Sequence, residues 1–309
     1  MEDLLRYFIK RLLLMIPVIL GMTIIVFLIL HLSPGDPVDL IVGPNVTPEV
    51  YASIRQKYGL DQPLIVQYIK FLSNVARGDL GTSILQQRPV SELILQRFPI
   101  TLELGLTGLV LSFLIAIPVG VSAAVKRNTI MDYSCMTGAM LGMSLPTFWF
   151  GLLLLYFFAY KLRWFPISGY GTWRHLVLPG FAIGLTDAAI TARMVRSSML
   201  EVLRQDYIRT ARSKGLAEMV VTYQHALKNA MIPIITLLGL RVGWIIGGSV
   251  MLEIVFSRPG LGRLMVDSIL ARDYPVVQGA MIVLTTSIIL GNILADLLYA
   301  VFDPRIRYN

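Results

Sequence analysis

Charge is scarce in this chain, and a lysine following a glycine is missing altogether. Only 15% of its residues are charged against 55% hydrophobic, and the mean hydropathy is +0.69. That balance excludes an ordinary water-soluble globular fold. A phosphate-binding loop needs a lysine directly after a glycine, because that amine reaches the β- and γ-phosphates. None of the seven lysines has that neighbour, so a Walker A loop is excluded. The one cysteine, Cys135, excludes an internal disulfide and reads as a small buried residue. His31, His175 and His225 lie in three separate regions without metal-ligand spacing, and read as packing or interfacial residues. No Ser-His-Asp set or carboxylate pair stands out. The expectation is a chain that is no enzyme and binds no metal or cofactor itself.

What is present is apolar length. A bilayer core of about 30 Å takes about 20 apolar residues per helix. Leu12–Leu30, Leu104–Val125, Met136–Tyr160 and Tyr274–Ala295 carry no charge before Ala295, while Leu176–Ala192 carries Asp187 alone and Asn229–Leu252 carries Arg241 before its end. Six spans are expected. The first is too long for a signal-peptide core and is followed by "HLSPGDP" rather than a small-residue cleavage site, so it reads as a retained helix.

Lysine and arginine set the orientation. Arg6, Lys10 and Arg11 precede span one, Lys126 and Arg127 follow span two, a run from Arg193 to Lys228 separates spans four and five, and Arg305 and Arg307 end the chain. With six spans these groups share one side, which is then the cytoplasm, with both termini inside. Trp149, Trp164 and Trp173 bracket the third span like an interfacial belt. The net charge of +8 therefore reports topology, and no nucleic-acid partner is expected. The division is residues 1–32 for the N-terminus and first span, 33–99 for an extracytoplasmic helical segment, 100–302 for a five-helix core with an inner loop at 193–232, and 303–309 for a cytoplasmic tail.

Two segments outside the spans are too long for simple connectors. In the outer one, "TPEVYASIRQKYGL" places Thr47 as a helix cap with Pro48 at the first position, and the amphipathic "LIVQYIKFLSNVARG" and the turn "GDLGTS" follow. The reading is a small helical cap that seals the pathway, docks a partner or packs on the bundle. In the inner one, Met219, Val220, Tyr223 and Leu227 recur at helical spacing, Gly215 lets the backbone turn between two short helices, and Pro233 suits the first turn of span five. A merely solvated loop needs neither an apolar face nor such length.

"DYIRTARSKGLAEMVVTYQHALKNAMIPIIT" resembles the cytoplasmic EAA-type loop of permeases in binding-protein-dependent ABC importers, and most closely the dipeptide/oligopeptide/nickel branch. "HLSPGDP", "GLDQPLIVQY", "GDLGTS", "ARMVRSSMLEVLRQDYIRTARSKGL", "HALKNAMIP", "VFSRPGLGRL", "DYPVVQ" and "DPRIR" extend the resemblance along nearly the whole chain. Arg209-Thr210-Ala211 stands where the general pattern has Glu-Ala-Ala, Gly215 keeps its place, and His225-Ala226-Leu227-Lys228 replaces the closing group. The resemblance implies an all-α integral membrane protein with the type I ABC importer transmembrane fold, in the cytoplasmic (inner) membrane of a bacterium or archaeon. It implies a loop docking on a cytoplasmic ATPase through Arg209, Thr210, Ala211, Gly215, Leu216, Met219, Tyr223, His225 and Leu227. It also implies a second homologous permease, one or two ATPase subunits using ATP and Mg, and an extracytoplasmic solute-binding protein. The solute class is short peptides, with glutathione or nickel–chelate as alternatives within the same branch.

Charges inside spans are costly, about 2.5–3.5 kcal/mol at a helix centre on insertion scales. Asp187 and Arg241 have opposite signs and similar depths, about 9 and 12 Å from the inner ends of spans four and five at 1.5 Å per residue. They are expected to pair and line or close the inner half of the pathway, to form a structural pair, or to meet a partner subunit. Glu103 and Glu253 lie towards outer ends, as candidate contacts for a cationic group of the solute. Gly239, Gly243, Gly247 and Gly248 in "GLRVGWIIGGS" permit close helix approach. A self-sufficient secondary transporter would be expected to show inverted repeats, which are not evident. A membrane-embedded hydrolase lacks any catalytic set.

Overall fold

A computed structural model describes residues 2–32, 38, 47–247 and 249–302, without the side chains of 2–12, 236–240, 242–246 and 294–302. The start of the outer segment, Gly248, the side chains of the first basic group and the tail at 303–309 lie outside the described residues. Regular structure among them is helical, apart from one isolated antiparallel bridge between Thr82 and Pro89.

Four helices among the described residues are long and apolar enough to cross a membrane: α1 (Glu2–Leu32), α4 (Val90–Val125), α7 (Arg174–Val202) and α13 (Tyr274–Phe302). The expected third span is not one rod. Helices α5 (Ile130–Ser144) and α6 (Thr147–Leu154, prolonged by a π-helical turn through Lys161) meet at 103°. Pro146 causes the break, because its ring forces the preceding residue out of the helical region, and Leu145 is extended at ψ 127°. The expected fifth span falls on α10 (Leu227–Gly247). Its 21 residues span about 30 Å at 1.5 Å per residue. Pro233 sits inside this helix rather than at its start. A membrane helix tolerates that where neighbours satisfy its carbonyls, and the Ser198 hydroxyl donates to the Ala230 carbonyl at 2.9 Å, one residue beyond the carbonyl that Pro233 frees.

The chain forms two compact units. One comprises Met1–Thr101 and Pro259–Ser287. Besides α1 it holds α2 (Pro48–Tyr58), α3 (Leu64–Ala76) and α12 (Leu261–Leu270). Thr47 occupies the cap position of α2 and Pro48 its first turn, as expected, but the Thr47 hydroxyl makes no capping hydrogen bond. Gly59 closes that helix at φ 68°, a left-handed conformation that favours glycine. Asp273, 2% exposed, ties the "GDLGTS" turn down: its carboxylate accepts from the Ser83 hydroxyl and from the backbone N–H groups of Ile84 and Leu85.

The other unit comprises Leu102–Arg258 and Ile288–Asn309. Its close packing runs between α4 and α7, where glycines let backbones approach. A Cβ on Gly184 would lie 2.7 Å from Leu111 Cβ, and one on Gly120 would lie 2.6 Å from the Ala192 carbonyl. Within the anticipated stripe, a Cβ on Gly247 would meet, among the described residues, only Ile288 at an ordinary 3.7 Å.

Candidate functional site

The inner segment begins later than the charge run suggested. Arg193 and Arg196 belong to α7, which runs to Val202, and α8 (Asp206–Ser213) follows. Its eight residues pack because Ile208, fully buried, and Ala211, 7% exposed, enter an apolar cluster. That cluster is built by Val121 and Ala124 of α4, Val195 and Met199 of α7, and Ala230 and Ile234 of α10. A fully buried aliphatic side chain contributes about 1.5–3 kcal/mol, so α8 is fastened to one end of these helices and does not hang free.

At Lys214 the chain turns. Gly215 takes φ 76°, with its N–H on the Arg212 carbonyl at 2.9 Å and the Leu216 N–H on the Ala211 carbonyl at 3.4 Å. These are the two bonds of a glycine-terminated helix end. The Arg212 guanidinium spans the turn to both oxygens of Glu218, at 2.8 and 3.2 Å. A short helix, α9 (Glu218–Val220), then leads through a π-helical turn at Val221–Ala226 directly into α10. The Asn229 side-chain amide donates to the Tyr207 hydroxyl at 2.8 Å, tying α10 to α8.

The expected apolar face does not hold together as one surface. Met219 and Tyr223 point outward, 74% and 51% exposed, with Leu216 at 40%. Val220 and Leu227 are half-buried, and the residues that enter the cluster are Val221 and Ala226. The π turn explains this: its i→i+5 bonding shifts the register, so a 3.6-residue period no longer selects one side. Arg209 and Thr210 are exposed, Arg209 facing Asp206 at 3.6 Å, and His225 is half-buried. The segment therefore presents Leu216, Met219 and Tyr223 among Arg209, Arg212 and Lys214, on a base held by Ile208 and Ala211.

Asp187 and Arg241 meet. The guanidinium Nη1 lies 2.6 Å from Asp187 Oδ1, and the two side chains keep about a quarter of their surface, 28% and 24%. Glu103 and Glu253 are placed differently from each other. Glu103, 45% exposed at its side chain, accepts from Arg258 at 2.9 Å. Arg258 is 1% exposed; it also donates to the His175 carbonyl at 3.3 Å and lies over the Tyr170 ring at 5.2 Å. Glu253, in the short helix α11 (Val250–Val255), is fully buried and takes a hydrogen bond from the Ser249 hydroxyl at 3.0 Å. It offers no surface to a solute in this structure. Its place near a span end gave no hint of burial.

Sequence reasoning passed over Asp132, whose side chain is 2% exposed. Arg196 grips it with two bonds, at 2.6 and 2.7 Å, and the Asn128 N–H adds a third at 3.0 Å. An acidic residue in the first turn of α5, just after "KRNT", was the available signal. The pair clamps α5 to α7 beside the apolar base of the inner segment. Among the described residues no group of three or more His, Cys, Asp or Glu side chains is arranged to hold a metal.

Residues 116–308 match the family described as binding-protein-dependent transport system inner membrane component, and residues 4–105 match its N-terminal membrane component. The glutathione transport system permease protein GsiC of Salmonella paratyphi A is 46% identical over 99% of this chain and 100% of its own length. The protein of that name from Escherichia coli strain K12 is 45% identical over the same shares. Among solved structures, a chain of the MetNI methionine ABC transporter in an inward-facing conformation superposes with a TM-score of 0.59 at 19% identity. It covers 69% of this chain and 97% of that one, and at that identity it bears on the fold alone, the type I importer fold.

Proposed function

We propose that this chain, which belongs to the binding-protein-dependent inner membrane permeases, forms one half of a translocation pathway for short peptides, with a tripeptide of the glutathione kind as the first solute to test. A second permease completes the pathway, cytoplasmic ATPase subunits use ATP and Mg, and a solute-binding protein delivers the cargo on the opposite side. The observation that carries this reading is the inner segment, whose exposed Leu216, Met219 and Tyr223 stand on a base packed against α4, α7 and α10. ATPase closure pushes on that surface. Continuous helix from Glu218 to Gly247 carries the push about 35 Å along the chain to Arg241, at 1.5 Å per residue.

Arg241 and Asp187 then act as a latch on the path. Breaking a quarter-exposed pair costs between the about 1 kcal/mol of a surface pair and the about 3–5 kcal/mol of a buried one. A conformational cycle driven by ATP can supply that at every turnover. The peptide solute rests on the GsiC relatives, whose name states glutathione transport. The test is reconstitution of this chain with its permease partner, ATPases and binding protein in proteoliposomes. ATP-dependent uptake of labelled glutathione or short peptides is expected. Uptake that proceeds without the ATPase subunits would sink the importer reading, and uptake confined to non-peptide solutes would sink the choice of cargo.

A further inference from the structure

Helix α3, "LIVQYIKFLSNVA", leaves part of its apolar stripe facing outward. Gln67, Lys70 and Asn74 line a cleft within their own unit, together with Val66 and Phe71 of the same helix and with Phe27, His31 and Tyr274. The opposite side carries Ile65 and Ile69, 70% and 60% exposed, and no residue of the helix is buried. A helix bathed in water turns its apolar stripe to the core and its polar residues out. Apolar side chains left outward on this scale call for apolar surroundings.

The depth of α3 says what those surroundings are. The Tyr68 hydroxyl lies 3.0 Å from the Thr23 hydroxyl, nine residues before α1 ends at Leu32. That is about 13 Å down the helix axis at 1.5 Å per residue, close to the middle of the apolar run. Further along α1, the Tyr68 ring meets Phe27 edge-on at 5.2 Å, and Gln67 Oε1 lies 3.2 Å from His31 Nε2. So α3 lies beside the second half of a span, not above it. Between the two helices runs a groove of about 290 Å³ lined by Ile24, Phe27, Leu28, Leu64, Ile65 and Tyr68. It opens beside Ile25 and Ile29, 58% and 62% exposed on α1, where a spanning helix faces hydrocarbon. Exposed apolar surface continuous with a lipid-facing helix marks a lipid contact.

We infer that α3 is embedded in the leaflet crossed by the second half of α1, the outer one in the orientation the basic residues give, and that a phospholipid acyl chain fills the groove between them. Helix α2 supplies the contrast. It carries Glu49, Arg55 and Lys57 and stays in water.

Collision spectroscopy decides the matter on the assembled importer in phosphatidylethanolamine–phosphatidylglycerol vesicles. In a Cys135→Ser background, Ile65→Cys, Ile69→Cys and Leu28→Cys each receive a nitroxide, and Ser53→Cys on α2 provides the aqueous reference. At the first three sites collisions with oxygen, which partitions into lipid, are expected to exceed those with a water-soluble nickel chelate several-fold. The order reverses at Ser53→Cys. Nickel-dominated collisions at Ile65→Cys and Ile69→Cys would make α3 a water-facing cap and overturn the inference. Shielding of those two sites from both reagents would overturn it in favour of a protein partner. Shielding of Leu28→Cys alone would refute the acyl chain in the groove. The readout is independent of transport, so it stands or fails apart from the choice of solute.

Discussion

Two surfaces of this molecule expose large apolar side chains, and they differ in what surrounds those side chains. Around Leu216, Met219 and Tyr223 stand Arg209, Arg212, Lys214 and Glu218. Around Ile65 and Ile69 the other exposed residues of α3 are Leu64, Val66, Ser73, Ala76 and Lys70, the last lining the cleft on the other side, while the charges of Asp61 and Arg77 lie beyond the helix ends. A polar rim about an apolar centre is the anatomy of a protein interface, where water returns when the partner leaves. A surface that never meets water has no use for a rim. Exposure alone, then, does not tell a docking site from a lipid contact; its border does.

Each surface also hangs on a left-handed glycine, which allows a matched experiment with the largest expected effect. Gly215 sits at φ 76° and Gly59 at φ 68°, and a Cβ added at either finds no atom closer than 3.9 Å. Valine at either position therefore brings backbone strain alone, about 1–2 kcal/mol, or roughly a 5- to 30-fold loss in the population of the turn. Gly215→Val should cut ATP-driven uptake by about 5- to 30-fold while membrane insertion persists, if that turn transmits force as proposed. Gly215→Asn, which tolerates the left-handed region, should retain uptake. Gly59→Val should leave uptake nearly intact, since α2 bears no load. Equal losses from the two valine variants would erase the distinction between the surfaces.

Aspartate sharpens the same contrast on the side chains. Met219→Asp places a charge in water, so the amount of permease in the membrane should be unchanged while coupled uptake falls several-fold. Ile69→Asp places a charge against hydrocarbon, at up to about 3 kcal/mol on insertion scales. Its expected signature is a reduced membrane yield measured by quantitative blotting, with the surviving protein still coupled. A normal yield for Ile69→Asp would put α3 in water.

How much of this was legible depended on the range of the cause. Apolar runs announced α1, α4, α7 and α13 because hydrocarbon thickness imposes length locally. The Asp187–Arg241 contact was foreseeable because each residue is the lone charge inside its apolar run and depth follows from counting. The 103° break stood in plain view as "SLPT", yet an unbroken uncharged run hides a proline's effect on Leu145. The π turn at Val221–Ala226 has no such signature, so a 3.6-residue period put Met219 and Leu227, which flank it, on one face where the structure leaves the first exposed and the second half-buried. Long-range partners were out of reach: Arg258 finds Glu103 across 155 residues, and Asp132 finds Arg196 across 64. Likewise, the glycines that admit close packing, Gly120 and Gly184, are recognisable only once α4 and α7 are side by side.

The smallest effects come from ion pairs, and they test whether the inner segment really stands on a rigid base. Asp132, 2% exposed at its side chain, holds Arg196 by two short bonds, whereas Arg88 and Glu92 pair on the surface with 42% and 49% of their side chains exposed. Charge-assisted bonds to a buried group contribute about 1.5–3 kcal/mol, and an exposed pair on one helix about 0.3–0.5 kcal/mol. Asp132→Asn should therefore lower the thermal unfolding temperature of the detergent-solubilised protein by several degrees, and Arg88→Ala by a degree or less. Asp132→Asn should also weaken coupling, because it loosens α5 from α7 beside Val195 and Met199, on which Ile208 and Ala211 rest. If the protein loses stability but couples normally, α8 draws its rigidity from the apolar cluster alone, and the clamp serves the fold rather than the lever.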